Sequence, residues 1–184
     1  MSSPLIGLSG YAQSGKDTLA AALARHGYKR LSFADNLRDL AAASRPTFRT
    51  PGPVATPYSY AYLDSMVEVY GWEAAKQVPE IRQYLQDLGL GARKVFGDDI
   101  WVDALHRQRV PGNRYVITDV RFPNEAEYVR SRGGIMVRVN RPGTAPVNGH
   151  ESETAIDDWP FDVYLTNDGS MQDLADAAQL LFSK

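Results

Sequence analysis

The chain has 184 residues, 43% apolar and 23% charged, which suits one compact domain with a buried core. Its 20 basic and 22 acidic residues leave a net charge of −2, arguing against a broad nucleic-acid or anionic-membrane surface. With no cysteine and three scattered histidines (His26, His106, His150), neither a disulfide framework nor a thiolate or His-rich metal site is indicated.

The N-terminus shows no basic start followed by a long apolar run, and no stretch reaches the roughly 18 apolar residues of a membrane span. The expectation is a cytoplasmic protein with no membrane or nucleic-acid partner. Leu5-Ile6-Gly7-Leu8 reads as a buried strand. From Lys16, Leu19, Ala20, Leu23 and Ala24 recur at helical spacing until Gly27. Tyr28 to Phe33 alternates as a second strand. Asp35 to Ala43 reads as a helix with Leu37 and Leu40 on one face. Residues 44–60 hold four prolines (Pro46, Pro51, Pro53, Pro57), so a loop without regular structure is expected, at the surface or over a substrate. Helices follow over Tyr62 to Tyr70, from Pro79 with Ile81, Leu85 and Leu88 inward, and over Asp98 to Gln108. Arg114 to Asp119 reads as a buried strand ending in a carboxylate. Asn124 to Ser131 is helical, Ile135 to Val139 a strand, and 140–150 a loop. Phe161 to Leu165 is a further strand. Ser170 and Asp173 stand in capping-box spacing ahead of a helix that buries Leu174 and Leu181. Strands alternating with helices predict a parallel sheet covered on both faces, with ligands at the carboxyl ends of its strands.

The stretch GYAQSGKDT, 10–18, carries the first chemistry. Gly10, four residues, Gly15 and Lys16 have the spacing of a phosphate-cradling loop between a strand and a helix. Backbone N–H groups of such a loop, Gln13 and Ser14 among them, bind phosphate oxygens, and Lys16 adds a mobile charge. The alternative is a glycine turn with Lys16 solvated. Asp17 stands where Ser or Thr is usual. A carboxylate is a hard ligand for magnesium, directly or through water; otherwise Asp17 is an acid favoured at a helix start. Thr18 keeps a hydroxyl for a phosphate. Asp119 holds a magnesium water or caps the next turn, and Arg121 clamps a phosphate or pairs Asp119.

With these residues placed, the chain resembles the deoxynucleoside monophosphate kinases that bacteriophages encode, a branch of the phosphate-loop (P-loop) kinases. The resemblance runs through GYAQSGKDTLA (10–20), LSFADNLRD (31–39), YLQDLGLGARKVFGDDIWVDAL (84–105), VITDVRFPNEAEYVRSRGG (116–134), VRVNRPG (137–143) and HESETAI (150–156). Asp17 after Gly-Lys is similar to this branch and to phosphomevalonate kinases. Gln13 departs from the basic residue that related loops often carry. The resemblance implies the P-loop nucleotide-kinase fold, a central parallel sheet of about five strands flanked by helices, with mobile substrate-binding and lid regions. It implies one kinase domain over 1–184, with the loop at 10–18, an acceptor-binding helical region near 34–108 and a lid near 138–153. It implies ATP and Mg2+ as cofactors and small nucleotides as partners, and leaves oligomeric state open, a homodimer included.

A phosphate acceptor is largely ionised at neutral pH, so the protein must align two polyanions and neutralise charge rather than supply a base. Catalytic candidates are Lys16, Arg121, and the lid arginines Arg138 and Arg141. Gly10, Gln13, Ser14, Gly15, Lys16, Asp17, Thr18 and Asn167 are cofactor-binding candidates, with the turn 167–169 bordering the adenine. Asp17 and Asp119 are metal candidates. Arg38, Arg82 and Arg93 are candidates for the acceptor phosphate, Asp35 and Gln86 for its sugar or base, and Glu153 for the acceptor through its nearness to the lid. Tyr62, Trp72 and Trp101 stack on a base or fill the core. Phosphomevalonate or dephospho-coenzyme A as acceptor, or a non-catalytic nucleotide switch, are the competing readings.

Overall fold

Leu5–Ser9 forms a strand, β1, buried at every residue in the computed structural model, which describes residues 5–49, 60–147 and 149–181 (the Leu180 side chain excepted). The other strands are β2 (Tyr28–Leu31), β3 (Thr47–Arg49), β4 (Tyr60–Tyr62), β5 (Arg114–Ile117), β6 (Ile135–Asn140) and β7 (Val163–Thr166). The helices are α1 (Lys16–Ala24), α2 (Phe33–Ala43), α3 (Leu63–Ala75), α4 (Pro79–Phe96), α5 (Ile100–Arg107), α6 (Pro123–Arg130), α7 (Glu151–Thr154) and α8 (Met171–Ala177). The chain divides into two compact units, 1–33 with 102–184, and 34–101.

The first unit holds the expected five-stranded sheet, in the order β2-β5-β1-β6-β7, parallel throughout. Because β1 is central and covered on both faces, it reads as an unbroken apolar run rather than an alternating one. One face packs Ile6, Leu8, Val116, Val137 and Val139 against Leu19 and Leu23 of α1 and Leu174 of α8. Large aliphatic side chains buried this way each contribute about 1.5–3 kcal/mol. Across the other face, Met136, Val129 of α6 and Val120 crowd Gly7, so a β-carbon there would lie 2.5 Å from Met136 Sδ. The chain leaves β1 toward β2 and β5 on one side and later places β6 and β7 on the other. The carboxyl end of β1 is therefore the point where strand order reverses, where parallel sheets open a ligand crevice.

The second unit packs Ala41, Leu63, Met66, Ala75, Ile81 and Leu85 from α2, α3 and α4 into its own core. Strands β3 and β4 pair antiparallel, Phe48 opposite Ala61.

Several expected boundaries move. β2 ends at Leu31, because Asp119 takes the Phe33 amide at 2.9 Å and the Ser32 hydroxyl at 2.7 Å, turning the chain into α2. The proline-rich stretch was expected to lack regular structure, yet Thr47–Arg49 is a strand; Pro46 lies just outside it and offers its carbonyl to the Leu63 amide. Pro51, Pro53 and Pro57 lie outside the described residues. Helix α3 runs on through Gly71, where φ 76 and ψ 163 break the helical path. Leu40 faces solvent at 44% exposure, and Ala41 takes its place in the core. The loop after β6 contains the one-turn α7, capped by His150 accepting from the Ser152 amide.

Candidate active site

The carboxyl end of β1 delivers the chain to Gly10 at φ +142, where a β-carbon would strike the Val139 carbonyl oxygen of β6. Gly15 has φ +105, and a β-carbon there would lie 2.5 Å from Asn167 Nδ2 and 2.9 Å from Leu174 Cδ2. Only glycine adopts these angles at little cost, so both positions follow from backbone geometry. Gln13 sits at φ 62 without that freedom, a strained conformation that its surroundings must hold. Ser14 is fully buried, its carbonyl accepting from Asn167 Nδ2 at 2.9 Å.

Lys16 opens α1 and folds back over the loop. Its Nζ donates to the carbonyl oxygens of Gly10 and Tyr11, both at 2.7 Å, and lies 3.4 Å from Ser14 Oγ. Burial, then Arg121, pushes its pKa down to about 8, with Arg138 adding to the fall and Asp17 and Asp119 opposing it. Four of the expected groups, Arg121, Arg138, Asp17 and Asp119, thus act electrostatically on one ammonium. Asp17 is exposed in the first turn of α1, next to Thr18, and Asp119 is anchored by Ser32 and Phe33. Among the described residues no three His, Cys, Asp or Glu side chains form a metal cluster. A divalent cation at Asp17 and Asp119 would therefore complete its sphere with phosphate and water oxygens. Carboxylate, phosphate and water oxygens are the donors that magnesium takes.

Arg121 pairs with Glu153, Nη1 to Oε1 at 2.7 Å, and also donates to the Ser152 carbonyl at 3.2 Å. The sequence offered Arg121 only Asp119 as a partner and Glu153 none. Glu153, 7% exposed at its side chain, is thus tied to Arg121. Arg141 is exposed and donates to the Gln13 carbonyl at 3.3 Å, placing a cation beside the loop.

The lid placement of Arg138 is corrected. It lies in the middle of β6, 7% exposed, with Nη1 on Ser9 Oγ at 3.2 Å and Nη2 on Asp157 Oδ1 at 2.6 Å. β6 is buried from Met136 to Val139 on both faces, and its register sets Arg138 opposite Ser9 of β1. Tyr11 and Asp157, joined at 2.7 Å, escaped the sequence reading. Tyr11 directly follows the first loop glycine, and Asp157 directly follows HESETAI; those adjacencies were the available signal.

Apart from Glu153, which lies in the first unit, the acceptor candidates lie in the second unit. Arg38 pairs with Asp35 at 3.1 Å and stands 6.0 Å above the Trp72 ring. Lys76 donates to Glu73 at 2.6 Å and is the main cause holding that carboxyl below its ordinary range, with Arg38 and Arg82 adding their charge. Gln86 follows Arg82 one turn later on α4. Arg93, near the end of α4, lies 3.6 Å from Asp98. Trp101 is buried, donating to the Gly89 carbonyl at 3.1 Å, so it fills the core. Tyr62 is exposed beneath Arg45.

A family model described as deoxynucleotide monophosphate kinase matches residues 59–177. A protein of Acanthamoeba polyphaga mimivirus, provisionally named deoxynucleotide monophosphate kinase, is 28% identical over 193 residues, covering 92% of this chain and 91% of its own. The deoxynucleotide monophosphate kinase of Escherichia phage RB69 is 32% identical over 124 residues, 62% of this chain and 51% of the phage protein. Among solved structures, dephospho-CoA kinase from Campylobacter jejuni superposes with TM-score 0.49 at 11% identity, over 98% of this chain and 96% of that one. No helix among the described residues is long and apolar enough to cross a membrane.

Proposed function

Since the chain belongs to the deoxynucleotide monophosphate kinase family, we propose that it transfers the γ-phosphoryl group of ATP to the phosphate of a deoxynucleoside monophosphate. The products are ADP and a deoxynucleoside diphosphate. The observation that carries this reading is the loop 10–18 at the strand-order reversal, with the Lys16 ammonium resting on the Gly10 and Tyr11 carbonyl oxygens. The loop lies outside the matched segment 59–177, so loop and family match are independent supports.

A phosphomonoester has a second pKa of about 6, so the acceptor oxygen is already ionised at neutral pH and no side chain need remove a proton. The protein's contribution is alignment and charge neutralisation. The loop amides (Gly10, Gln13, Ser14 and Gly15 among them), the N-terminus of α1 and the Thr18 hydroxyl hold the donor phosphates. Lys16 follows the charge that moves between them. Arg141 and Arg121 supply further cations at the loop, Arg121 held by Glu153. The turn 167–169 borders the adenine. Magnesium, when bound, screens the phosphates, and Asp17 and Asp119 are the residues that would hold it. On the acceptor side, Arg38, Arg82 and Arg93 take the phosphate, while Asp35 and Gln86 meet sugar or base. The largely exposed segment 141–147 serves as the lid, and the reaction takes place in the cytoplasm, that of the host if a phage encodes the chain.

An acceptor panel tests this directly. At fixed ATP and magnesium, ADP release should depend on a deoxynucleoside monophosphate and not on phosphomevalonate or dephospho-coenzyme A. Stimulation only by one of the latter, or by none, would discard the reading.

A further inference from the structure

Asp157 makes two hydrogen bonds that the transfer scheme does not use, one to the phosphate loop and one to β6. Its Oδ1 accepts from Arg138 Nη2 at 2.6 Å, and its Oδ2 accepts from the Tyr11 hydroxyl at 2.7 Å. Arg138 reaches Ser9 Oγ with its other terminal nitrogen at 3.2 Å. Its guanidinium carbon lies 4.9 Å from the Tyr11 ring centroid and 5.7 Å from that of Phe161. Ser9 and Tyr11 bracket Gly10. The network therefore holds the loop on both sides of its first glycine.

Those same residues position the lysine. Lys16 Nζ rests 2.7 Å from the carbonyl oxygens of Gly10 and Tyr11. Whatever fixes the Tyr11 side chain also fixes a backbone oxygen that holds the ammonium. Packing alone would not need a charge here. The pair is half-buried, Arg138 at 9% and Asp157 at 28% side-chain exposure, and an ion pair taken out of water is seldom more stabilising than apolar residues of equal volume. What a carboxylate adds is direction: two oxygens, two donors and one ring orientation.

We propose that Asp157 is a positioning residue for ATP binding. By holding Tyr11 and Arg138 on its two oxygens, it keeps the turn after Gly10, and with it Lys16, in the shape that receives the donor phosphates. The inference rests on the kinase reading of the loop.

The test is direct titration of ATP with magnesium, followed by steady-state rates. Tyr11→Phe keeps the ring beneath Arg138 and leaves the ion pair intact. It should weaken ATP binding about tenfold, the effect of losing one hydrogen bond to a charged group. The KM for the acceptor should stay within about twofold, since nothing on the acceptor side is touched. Asp157→Asn should weaken ATP binding at least as much. The double variant should bind no more weakly than Asp157→Asn alone, because both changes break one coupled unit. Wild-type ATP affinity in Tyr11→Phe, or losses that simply add, would overturn the proposal. Should Asp157→Asn not fold, Tyr11→Phe alone decides. Lys16→Ala, measured alongside, separates the two levels. If it loses ATP while Tyr11→Phe does not, the role of Asp157 falls and the loop reading stands. If it binds and turns over ATP normally, the loop reading falls and takes this inference with it.

Discussion

Replacing Lys16 by arginine should remove an alkaline limit on ATP capture. Burial and the neighbouring Arg121 bring the Lys16 ammonium from 10.5 down to about 8, against the opposing pull of Asp17 and Asp119. The sign follows directly: the group is charged below that value and neutral above it. At pH 7.5 about three-quarters of the free enzyme carries the charge, and at pH 9 about a tenth. If the ammonium is the form that receives phosphate, kcat/KM for ATP should fall about tenfold per pH unit on the alkaline side, because that ratio reports the free enzyme. A guanidinium stays charged across the whole range, so Lys16→Arg should flatten the limb even though its absolute rate drops. Arg121→Gln removes the like charge with the largest effect on Lys16, so the limb should move to higher pH. Initial rates of ADP formation at limiting ATP and saturating acceptor, from about pH 6.5 to about 9.5, measure this. A limb that stays near 8 in Lys16→Arg belongs to another group. A limb that moves down in Arg121→Gln reverses the electrostatic argument.

Three further outcomes follow from the geometry. Gly15→Ala places a methyl against Asn167 and Leu174 at φ +105, so strain of about 1–3 kcal/mol and loss of the Asn167–Ser14 bond should lower the melting temperature and weaken ATP binding. A variant that melts and binds normally would refute the packing described. Glu153→Gln removes the charge facing Arg121; with Arg121 partly exposed, about 1–2 kcal/mol of stability in urea is expected to go, along with a lower kcat/KM. Unchanged values in both would reduce that pair to a surface contact. Asp17→Ser should retain turnover with an altered magnesium requirement, since a hydroxyl replaces a carboxylate as the oxygen donor. An identical magnesium titration would leave Asp17 a helix-start acid.

The elements were legible wherever one local rule governed them. The run Leu5 to Leu8, the spacing of Leu19 and Leu23, and the Ser170–Asp173 cap all depend on residues within a turn or two of each other, and all three stand in the structure. Local rules misplace what a distant group decides. Phe33 would continue a strand by pattern, but the Asp119 carboxylate, 86 residues away, takes its amide and starts a helix. Leu40 matched the helical period, yet the packed stripe of α2 runs through Leu37 and Ala41. Arg138 already fell within the expected strand Ile135 to Val139, yet it was read as a lid cation because a Pro-Gly turn follows soon after; the strand instead keeps it buried beside Ser9.

By itself, the sequence determined the parallel α/β layout and the phosphate-loop spacing. Both are written in backbone periodicity and in glycines that no other residue can replace. It also supplied the cations that a transfer between two polyanions requires. Only the tertiary structure decided how those charges are shared. Arg121 goes to Glu153, Arg141 to the Gln13 carbonyl, and Arg138 to Asp157 and thereby to Tyr11. The reason is physical. A charge is satisfied by whichever partner the sheet order brings within about 3 Å, and β1 lying between β5 and β6 sets that neighbourhood, not the spacing along the chain.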